Sequence, residues 1–331
     1  MSETVTVKSI AKELNISFST VAKALNNNPK IKESTRELVI NKAREMGYHG
    51  NFMAKNLRNK ASKTVAILVN DFDIPAYGDM INQISKELLS AGFVTVVCNS
   101  QYDEEIEKAS LENILSTMPT ALIVSPINPA HENIKLLSGV LDRTVMIAQP
   151  IPGLETNYVS IDHTQSGYLS ASHMLAKSRD NLLFLGPSAF QASQNFLKGA
   201  QKAYKENKMT IEKNNIFHFR PDAEKACNLF IELYNSGRKP GGVICFCDST
   251  AFGIYKAAQK LGLKIPQDLK VIGYDDGFAD DFANPPLTTI HVPKEEIAKY
   301  CTEKILKMRN SEDKNLTCKI LESSLIIRKS V

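Results

Sequence analysis

The chain has 331 residues, of which 43% are hydrophobic and 23% are charged, and its formal net charge is +4. This length exceeds what a single hydrophobic core usually holds, so we expect two or three domains, and the composition excludes a wholly disordered or collagen-like chain. No apolar run reaches the roughly 18 residues of a membrane span, and the first residues lack the apolar stretch of a secretory signal.

The positive charge is concentrated at the N-terminus. Residues 1–63 hold twelve Lys or Arg and five Glu, a formal +7, which leaves −3 for the rest of the chain. A basic segment on a mildly acidic body indicates that the first segment contacts a polyanion. A solvated lysine-rich face would have the same composition, so charge alone does not separate the two interpretations.

Two short helices are predicted at the start of the chain, over residues 7–14 and 18–25. Apolar residues recur at helical spacing in both segments, and Thr6 and Ser17 precede them as candidate N-caps. Because residues 15–16 interrupt the pattern, a tight turn would join the two helices. This is the arrangement of a helix-turn-helix motif, whose second helix can enter the major groove of DNA.

A third helix is predicted to begin at a capping box of Ser34 and Glu37 and to end at Gly47. Its expected buried stripe consists of Leu38, Val39, Ala43 and Met46. Three helices around a small core predict a DNA-binding domain over residues 1–49. A three-helix bundle that binds no ligand would show the same pattern.

The residues of this segment also resemble a known family. Residues 6–26 closely resemble the start of the lactose/galactose-repressor family of bacterial transcription regulators, and the likeness continues through residues 35–37, 46–48 and Asn51. The resemblance implies that a helix-turn-helix domain contacts DNA through Thr6, Ser17, Phe18, Ser19, Thr20, Lys23 and Asn26. Family members usually have arginine where Lys23 stands, and lysine lacks the planar fork of arginine, so a different preferred operator is expected.

Residues 50–63 are expected to form a hinge and a linker. In the family, the matching segment folds into a short helix on DNA, and a leucine from each of two copies wedges between base pairs in the minor groove. The resemblance implies DNA contacts from Asn51, Lys55, Leu57 and Arg58, with Leu57 as the wedge. Gly50 stands where relatives usually have proline, and a plain flexible linker is the alternative interpretation.

From Thr64 onwards, apolar strands alternate with amphipathic helices. Such alternation indicates parallel sheets covered by helices on both faces, and nine strands exceed one usual sheet. The predicted strands span residues 65–69, 93–98, 121–125, 145–148, 158–161, 182–185, 216–219, 243–246 and 271–274. We therefore predict an α/β fold with two doubly wound lobes that divide near His163.

The motifs of this body also resemble the repressor family, whose body is similar to the periplasmic sugar-binding proteins. The matching motifs are residues 160–162 with Gly167, 185–187, 247–248 with Gly253, 271–276, 285–289 and 326–330. The resemblance implies an effector-binding and dimerisation domain over residues 64–331, in which the chain crosses between the lobes three times. Lobe one would comprise about residues 64–163 and 293–322, and lobe two about 164–292 and 323–331.

Open α/β sheets bind ligands at the carboxyl ends of their strands, so we expect an effector cleft between the two lobes. The candidate effector-binding residues, from strand ends and matched family positions, are Phe72, Tyr77, Gln149, Phe196, Cys247, Asp248, Asp275 and His291. Asp275 would accept hydroxyl hydrogens of a polyol. Relatives usually have arginine where Phe196 stands and asparagine before Asp248, where this chain has Cys247, so a less polar effector than a free sugar is an open alternative. For each single residue, a packing role is the other alternative.

Signatures of catalysis and of metal binding are missing from the sequence. It contains no G-x-x-x-x-G-K-[ST] phosphate loop, no G-x-S-x-G elbow and no H-E-x-x-H helix. Its six cysteines form neither a C-x-x-C pair nor a cluster with zinc spacing. We expect reduced thiols in a cytoplasmic protein that is not an enzyme and needs no metal or cofactor.

These features predict a sequence-specific transcription regulator, acting as a repressor, that binds double-stranded operator DNA and a small-molecule effector such as a sugar-like metabolite. A homodimer is expected because paired half-sites mirror a two-fold axis, and no leucine heptads follow the last strand motif to form a tetramer. No membrane partner is expected. The alternatives are a solute-binding protein for sugar transport and an orphan regulator whose cleft binds nothing.

Overall fold

The computed structural model describes residues 5–26, 28–48, 63–72, 74–127, 132–148, 151, 153–178, 181–186, 191–309 and 315–331. The chain separates into two compact units, Met1–Ser62 and Lys63–Val331. Over the described ranges, no helix is both long enough and apolar enough to cross a membrane.

The first unit contains three helices around a small core. They are α1 (Val7–Glu13), α2 (Phe18–Leu25) and α3 (Glu33–Glu45). Thr6 and Ser9 form a reciprocal capping box at the start of α1, in which Thr6 Oγ1 accepts the Ser9 N–H at 3.2 Å. Ser17 caps α2 by accepting the Thr20 N–H at 3.1 Å. These bonds satisfy N–H groups that have no partner within the helix.

The start and the buried face of α3 differ from the sequence prediction. The helix begins at Glu33, so Ser34 lies inside the first turn and cannot be the N-cap. The capping box predicted with Glu37 is therefore wrong. Leu38 is 53% exposed, whereas Val39 is fully buried. Neighbouring residues are about 100° apart around a helix, so Leu38 points away from the stripe to which Val39 belongs.

The second unit alternates strands and helices throughout its described residues. Its strands are β1 (Thr64–Val69), β2 (Val94–Asn99), β3 (Ala121–Val124), β4 (Thr144–Ile147), β5 (Asn157–Ile161), β6 (Leu182–Leu185), β7 (Ile216–Phe217), β8 (Gly242–Cys245), β9 (Lys270–Asp275), β10 (Thr288–His291), β11 (Cys318–Leu321) and β12 (Ser324–Ile326). Its α-helices are α4 (Pro75–Ser90), α5 (Glu104–Ser116), α6 (His163–Leu175), α7 (Gln191–Glu206), α8 (Ala223–Asn235), α9 (Asp248–Leu261) and α10 (Lys294–Arg309). The predicted α/β fold class is confirmed.

The strands form two six-stranded sheets, and each sheet is the centre of one lobe. The strand order is β11-β5-β4-β3-β1-β2 in lobe one and β12-β10-β9-β8-β6-β7 in lobe two. The described strand pairs are parallel, except that β10 pairs with β12 in antiparallel fashion. The chain passes from one sheet to the other after β5, after β10 and after β11. In each lobe, the carboxyl ends of the parallel strands therefore lie along one edge of the sheet.

Three strands were not among those predicted from the sequence, namely β10, β11 and β12. Two of the four residues of β10 are threonines, β11 is exposed at three of its four residues, and β12 is only three residues long. None of them has the continuous apolar run by which a buried parallel strand is recognised.

The close packing of α6 on α7 depends on two glycines. A Cβ on Gly167 would lie 1.8 Å from the carbonyl oxygen of Phe196, and a Cβ on Gly199 would lie 1.8 Å from the carbonyl oxygen of Thr164. No larger residue fits at either position, so the two helix backbones approach directly. This contact determines where α7 places Phe196 in lobe two.

Candidate functional site

Helix α2 exposes a face that carries several of the residues predicted to contact DNA. Phe18 is 53% exposed, and Ser19 and Lys23 are also exposed, whereas Val21 and Ala24 are buried in the core of the first unit. We name Phe18, Ser19 and Lys23 the α2 surface. A single helix with short side chains at its start has the dimensions of a major-groove reader.

The other predicted DNA-contacting residues lie at helix ends or beyond the described ranges. Thr6 and Ser17 are the N-caps of α1 and α2, and the Ser17 and Thr20 hydroxyl oxygens are 2.8 Å apart. Asn26 follows α2 and donates from Nδ2 to the carbonyl oxygen of Ala22. The hinge residues Asn51, Lys55, Leu57 and Arg58 lie outside the described residues, so their roles stay predictions.

A cleft of about 210 Å³ lies between the two lobes of the second unit. Its wall includes Asn70 and Ser125, which directly follow β1 and β3 in lobe one. It also includes Cys247, just after β8, and Asp275, at the end of β9 in lobe two. The cleft is thus built from the carboxyl ends of parallel strands, which is where open α/β sheets bind ligands.

On the lobe-one side, three polar side chains bond to one another. Asn70 Nδ2 lies 3.3 Å from the Tyr77 hydroxyl and 3.4 Å from the Ser125 hydroxyl, and the two hydroxyl oxygens are 3.2 Å apart. Burial raises the pKa of Tyr77, so its hydroxyl keeps the proton that this network uses. The three groups therefore satisfy a large part of their hydrogen-bonding capacity within the protein.

On the lobe-two side, Asp275 supplies an acidic group to the described wall. Its backbone φ is +122°, a value that residues with a side chain rarely adopt and that often marks a functional position. Burial raises the pKa of its carboxyl group to about 7, while a hydrogen bond from the Cys247 side chain and the charge of Lys294 act in the opposite direction. Asp275 is therefore a full hydrogen-bond acceptor only from neutral pH upwards.

Lys294 is a cation in the described wall, and its ammonium group donates hydrogen bonds to acceptors within the protein. Its Nζ donates to the carbonyl oxygens of Asp275 and Asp276 at 3.0 Å and 2.7 Å. The same atom lies 3.6 Å from a carboxylate oxygen of Asp79. Lys294 thereby holds the strained turn that follows β9.

His163 stands where the chain passes from lobe one into lobe two, and it also lines the cleft. Its Nδ1 lies 2.7 Å from the hydroxyl oxygen of Tyr274. Burial lowers the pKa of His163 to about 4 and raises that of Tyr274, so both groups are neutral at neutral pH. A neutral imidazole has one donor nitrogen and one acceptor nitrogen, and the tautomer of His163 decides which group donates in this hydrogen bond.

The structure brings together three of the residues predicted to bind an effector. Tyr77, Cys247 and Asp275 all line the cleft. Gln149 lies outside the residues that the structure describes, so its role stays a prediction.

Two predicted aromatic residues lie away from the described wall. Phe72 follows β1 but is 49% exposed. Phe196 is only 4% exposed, and the centroid of its ring lies 5.2 Å from that of Phe246 and 5.7 Å from that of Tyr274. The tight α6–α7 contact places Phe196 behind those two rings, so it supports the wall without forming part of it.

Two predicted polar residues also bond within the protein, away from the cleft. Asp248 is 2% exposed and accepts the Thr289 hydroxyl at 2.7 Å and the Gly277 N–H at 3.2 Å. His291 Nδ1 lies 2.8 Å from a carboxylate oxygen of Asp276. Among the described residues, no group of three His, Cys, Asp or Glu is arranged to hold a metal ion.

Seven polar residues of the described wall were missed by the sequence prediction: Asn70, Tyr102, Ser125, Ser160, His163, Gln191 and Lys294. Asn70 and Ser125 directly follow apolar strands, so the strand-end rule was sufficient to find them. Tyr102 lies in a turn and Lys294 begins a helix, and both reach the cleft through the folding of distant segments. No local signal in the sequence marks these two residues.

Two family descriptions match parts of the chain. Residues 6–51 match the bacterial regulatory proteins of the lacI family, and residues 171–331 match the periplasmic binding protein-like domain. The first match covers α1, α2 and α3, and the second covers most of lobe two.

Individual proteins match over nearly the whole length. The HTH-type transcriptional regulator DegA of Bacillus subtilis is 28% identical over 88% of this chain and 88% of its own length. The HTH-type transcriptional repressor PurR of Haemophilus influenzae is 25% identical over 98% of both chains. The structure of the lac repressor dimer bound to operator and the anti-inducer ONPF superposes with a TM-score of 0.79 at 21% identity, over 99% of both chains.

Proposed function

We propose that the chain is a member of the lacI family of bacterial regulatory proteins and that it represses transcription by binding operator DNA with an affinity that a small molecule in the cleft controls. One observation carries this proposal: the same chain combines the exposed α2 surface with a cleft at the carboxyl ends of facing strands. In the proposal both sites bind and neither catalyses a reaction.

The DNA-binding part of the proposal is supported by the shape and charge of the first unit. The α2 surface ends in Lys23, and the segment up to residue 63 carries a formal +7. Positive charge attracts the phosphate backbone, and side chains on an exposed helix select the bases. The similar PurR protein is itself named a repressor.

The effector part of the proposal is supported by the cleft. Asp275 lies in a strained backbone conformation at the edge of the lobe-two sheet, and the Asn70–Tyr77–Ser125 network faces the same cavity from lobe one. A ligand that touches both lobes can change the relative stability of two lobe arrangements, and such a difference is what an effector needs. The similar lac repressor structure contains operator together with a small anti-inducer.

We further propose that the protein acts as a homodimer through the β2 edge of lobe one. Leu89 on α4 is 67% exposed, and Val94 and Val96 on the edge strand β2 are 56% and 48% exposed. We name these three residues the β2 edge. An apolar edge strand without cover is a site of association, and two copies would present two α2 surfaces to paired half-sites.

The proposal is tested with the full-length protein and a random DNA library. Repeated selection is expected to enrich one sequence with two inverted half-sites, and a metabolite library is then screened for compounds that change affinity for that DNA by fluorescence anisotropy. Recovery of DNA without any common sequence would contradict operator binding. A defined operator whose affinity responds to no metabolite would contradict effector control.

A further inference from the structure

Part of the cleft wall on the side of the lobe-one sheet is apolar. The side chains that form this part are Met80, Ile147, Val159, Ile161, Val292 and Ile297, and Ser160 lines the cleft beside them. A hydroxyl group placed against these side chains would lose its bonds to water and gain no partner in exchange. A ligand with hydroxyl groups on every face is therefore poorly matched to this wall.

The opposite side presents rigid aromatic rings. Phe246 and Tyr274 both line the cleft, and their ring centroids are 4.7 Å apart with planes inclined by 33°. Phe196 contacts both from behind in edge-on fashion, at interplanar angles of 65° and 83°. This support fixes the two rings in place, so they offer a preformed apolar surface to a flat or cyclic ligand.

Asp275 is the acidic residue in the described wall, which also includes the polar side chains of Tyr102, Ser160, His163 and Gln191. A carboxylate with two oxygens can accept two hydrogens from one ligand edge. On the lobe-one side, Asn70, Tyr77 and Ser125 already bond to one another. The strongest polar contact for a ligand is thus a pair of donors aimed at Asp275.

The charges at the cleft disfavour ionised ligands. In the part of the wall that the structure describes, Lys294 is the cation, and its Nζ already donates to two backbone carbonyl oxygens and lies near Asp79. An anionic group would therefore face Asp275 without a cation ready to receive it. A cationic group at Asp275 would in turn lie beside the ammonium group of Lys294, which repels it.

We propose that the cleft takes an uncharged cyclic ligand whose faces are mostly carbon and whose edge carries two adjacent hydrogen-bond donors for Asp275. A volume of about 210 Å³ accommodates a small ring of this kind. Fully hydroxylated sugars and phosphorylated compounds are disfavoured. The inference rests on the proposed function, because it names the ligand class of the proposed effector cleft.

The test compares four probes on the full-length protein by calorimetry and saturation-transfer NMR. Catechol and cis-1,2-cyclohexanediol carry adjacent hydroxyls on a carbon ring, myo-inositol carries hydroxyls all round, and phenyl phosphate carries an anion. We expect the first two probes to bind at least about tenfold more tightly than myo-inositol or phenyl phosphate, as measured by the ratio of their Kd values.

Two variants show whether binding occurs at the inferred position. Asp275→Asn replaces one acceptor oxygen by a donor and is expected to weaken catechol about tenfold or more. Val292→Thr keeps the side-chain shape but adds a hydroxyl to the carbon wall, and it is expected to narrow the preference for the two diols over myo-inositol. Asp281→Asn is the matched control, because Asp281 lies outside the cleft wall and its carboxylate bonds to Arg328.

The outcomes separate this inference from the proposed function. Tighter binding of myo-inositol or phenyl phosphate, or no binding by any of the four probes, would overturn the ligand class. Catechol binding that Asp275→Asn and Asp281→Asn change equally would overturn it as well. If a polyol binds and shifts operator affinity, effector control stands while the ligand class fails. If no compound in the metabolite library shifts operator affinity, effector control itself fails.

Discussion

The guanidinium group of Arg220 lies over the ring of Tyr102, with 5.9 Å between its central carbon and the ring centroid. Arg220 follows β7 of lobe two and Tyr102 follows β2 of lobe one, so the contact joins the lobes beside the cleft. Arg220 also donates to the carbonyl oxygens of Gln101, at 3.1 Å, and of Tyr102. Gln101 and Tyr102 both have a φ of +54°, so the turn that they form is strained. The hydrogen bonds from Arg220 to the two carbonyl oxygens stabilise this turn.

Arg220→Met should loosen the two lobes, because it keeps the aliphatic stem and removes both carbonyl bonds and the cation–π contact. We expect hydrogen exchange at residues 101–103 to become about tenfold faster, which corresponds to about 1.4 kcal/mol of lost local stability. Arg238→Met is the matched control, because Arg238 makes similar contacts with Asn214 and Phe217 inside lobe two. Equal acceleration at residues 101–103 in both variants would contradict the assignment.

Gly167→Ala should destabilise the protein, because the added Cβ would lie 1.8 Å from the carbonyl oxygen of Phe196 and would force α6 and α7 apart. We expect a loss of about 3 kcal/mol in the free energy of unfolding, measured by denaturant titration. Gly139→Ala serves as the control, since nothing lies within 4 Å of a Cβ there, and it should change stability by no more than about 0.5 kcal/mol. A similar loss in both variants would count against the close contact.

Lys23→Ala should weaken operator binding while the protein remains folded. Lys23 lies on the exposed α2 surface, and loss of one contact to a base or phosphate is worth about 1–3 kcal/mol, so we expect roughly tenfold weaker binding. Anisotropy titrations at several salt concentrations provide the measurement, and affinity should fall steeply with salt in both proteins. Lys260→Ala removes the same charge from the exposed side of α9 and should leave affinity unchanged. Equal effects of both variants would show that only net charge matters.

Val96→Lys should dissociate the proposed dimer, because it places a charge in the middle of the exposed β2 edge. Ile320→Lys is the matched control, since Ile320 is 57% exposed on β11, the opposite edge strand of the same sheet. Sedimentation velocity at micromolar concentration should show a dimer for the wild type and for Ile320→Lys, and a monomer for Val96→Lys. A dimer in all three proteins would exclude the β2 edge as the interface.

Asp275→Asn should stabilise the protein more at pH 8 than at pH 5. Burial raises the pKa of the Asp275 carboxyl group to about 7 in the folded state, so its ionised form is disfavoured there. Between the lower pKa of the unfolded chain and about 7, the unfolded state has lost this proton and the folded state retains it, so stability falls as pH rises. Asparagine removes that loss, and because the interval from pH 5 to about 7 spans about two pH units at about 1.4 kcal/mol each, we expect the gain to grow by about 2–3 kcal/mol between the two pH values. Thermal unfolding of both proteins at each pH measures it, and an equal gain at both would contradict the assignment.

Local pattern accounts for what could be predicted. The helical spacing of apolar residues located α1 and α2, and the alternation of apolar runs with helices predicted the α/β class. The family resemblance was recognised from short motifs, and residues 6–51 match the lacI family description while residues 171–331 match the periplasmic binding protein-like domain. The details of α3 were wrong, because Leu38 fits the apolar pattern but its side chain faces solvent.

The sequence by itself determined the fold class and the edge of each sheet at which a cleft forms, because these depend on periodicity and on the order of strands along the chain. Its short motifs also determined the family resemblance. Which side chains line that cleft was decided by the tertiary structure. The close contact of α6 with α7 at the two glycines places Phe196 behind the wall. Tyr102 and Lys294 reach the cleft from segments that are distant in the sequence. The direction of a side chain depends on how its helix or turn packs against neighbours far away in the sequence, and no local pattern encodes that packing.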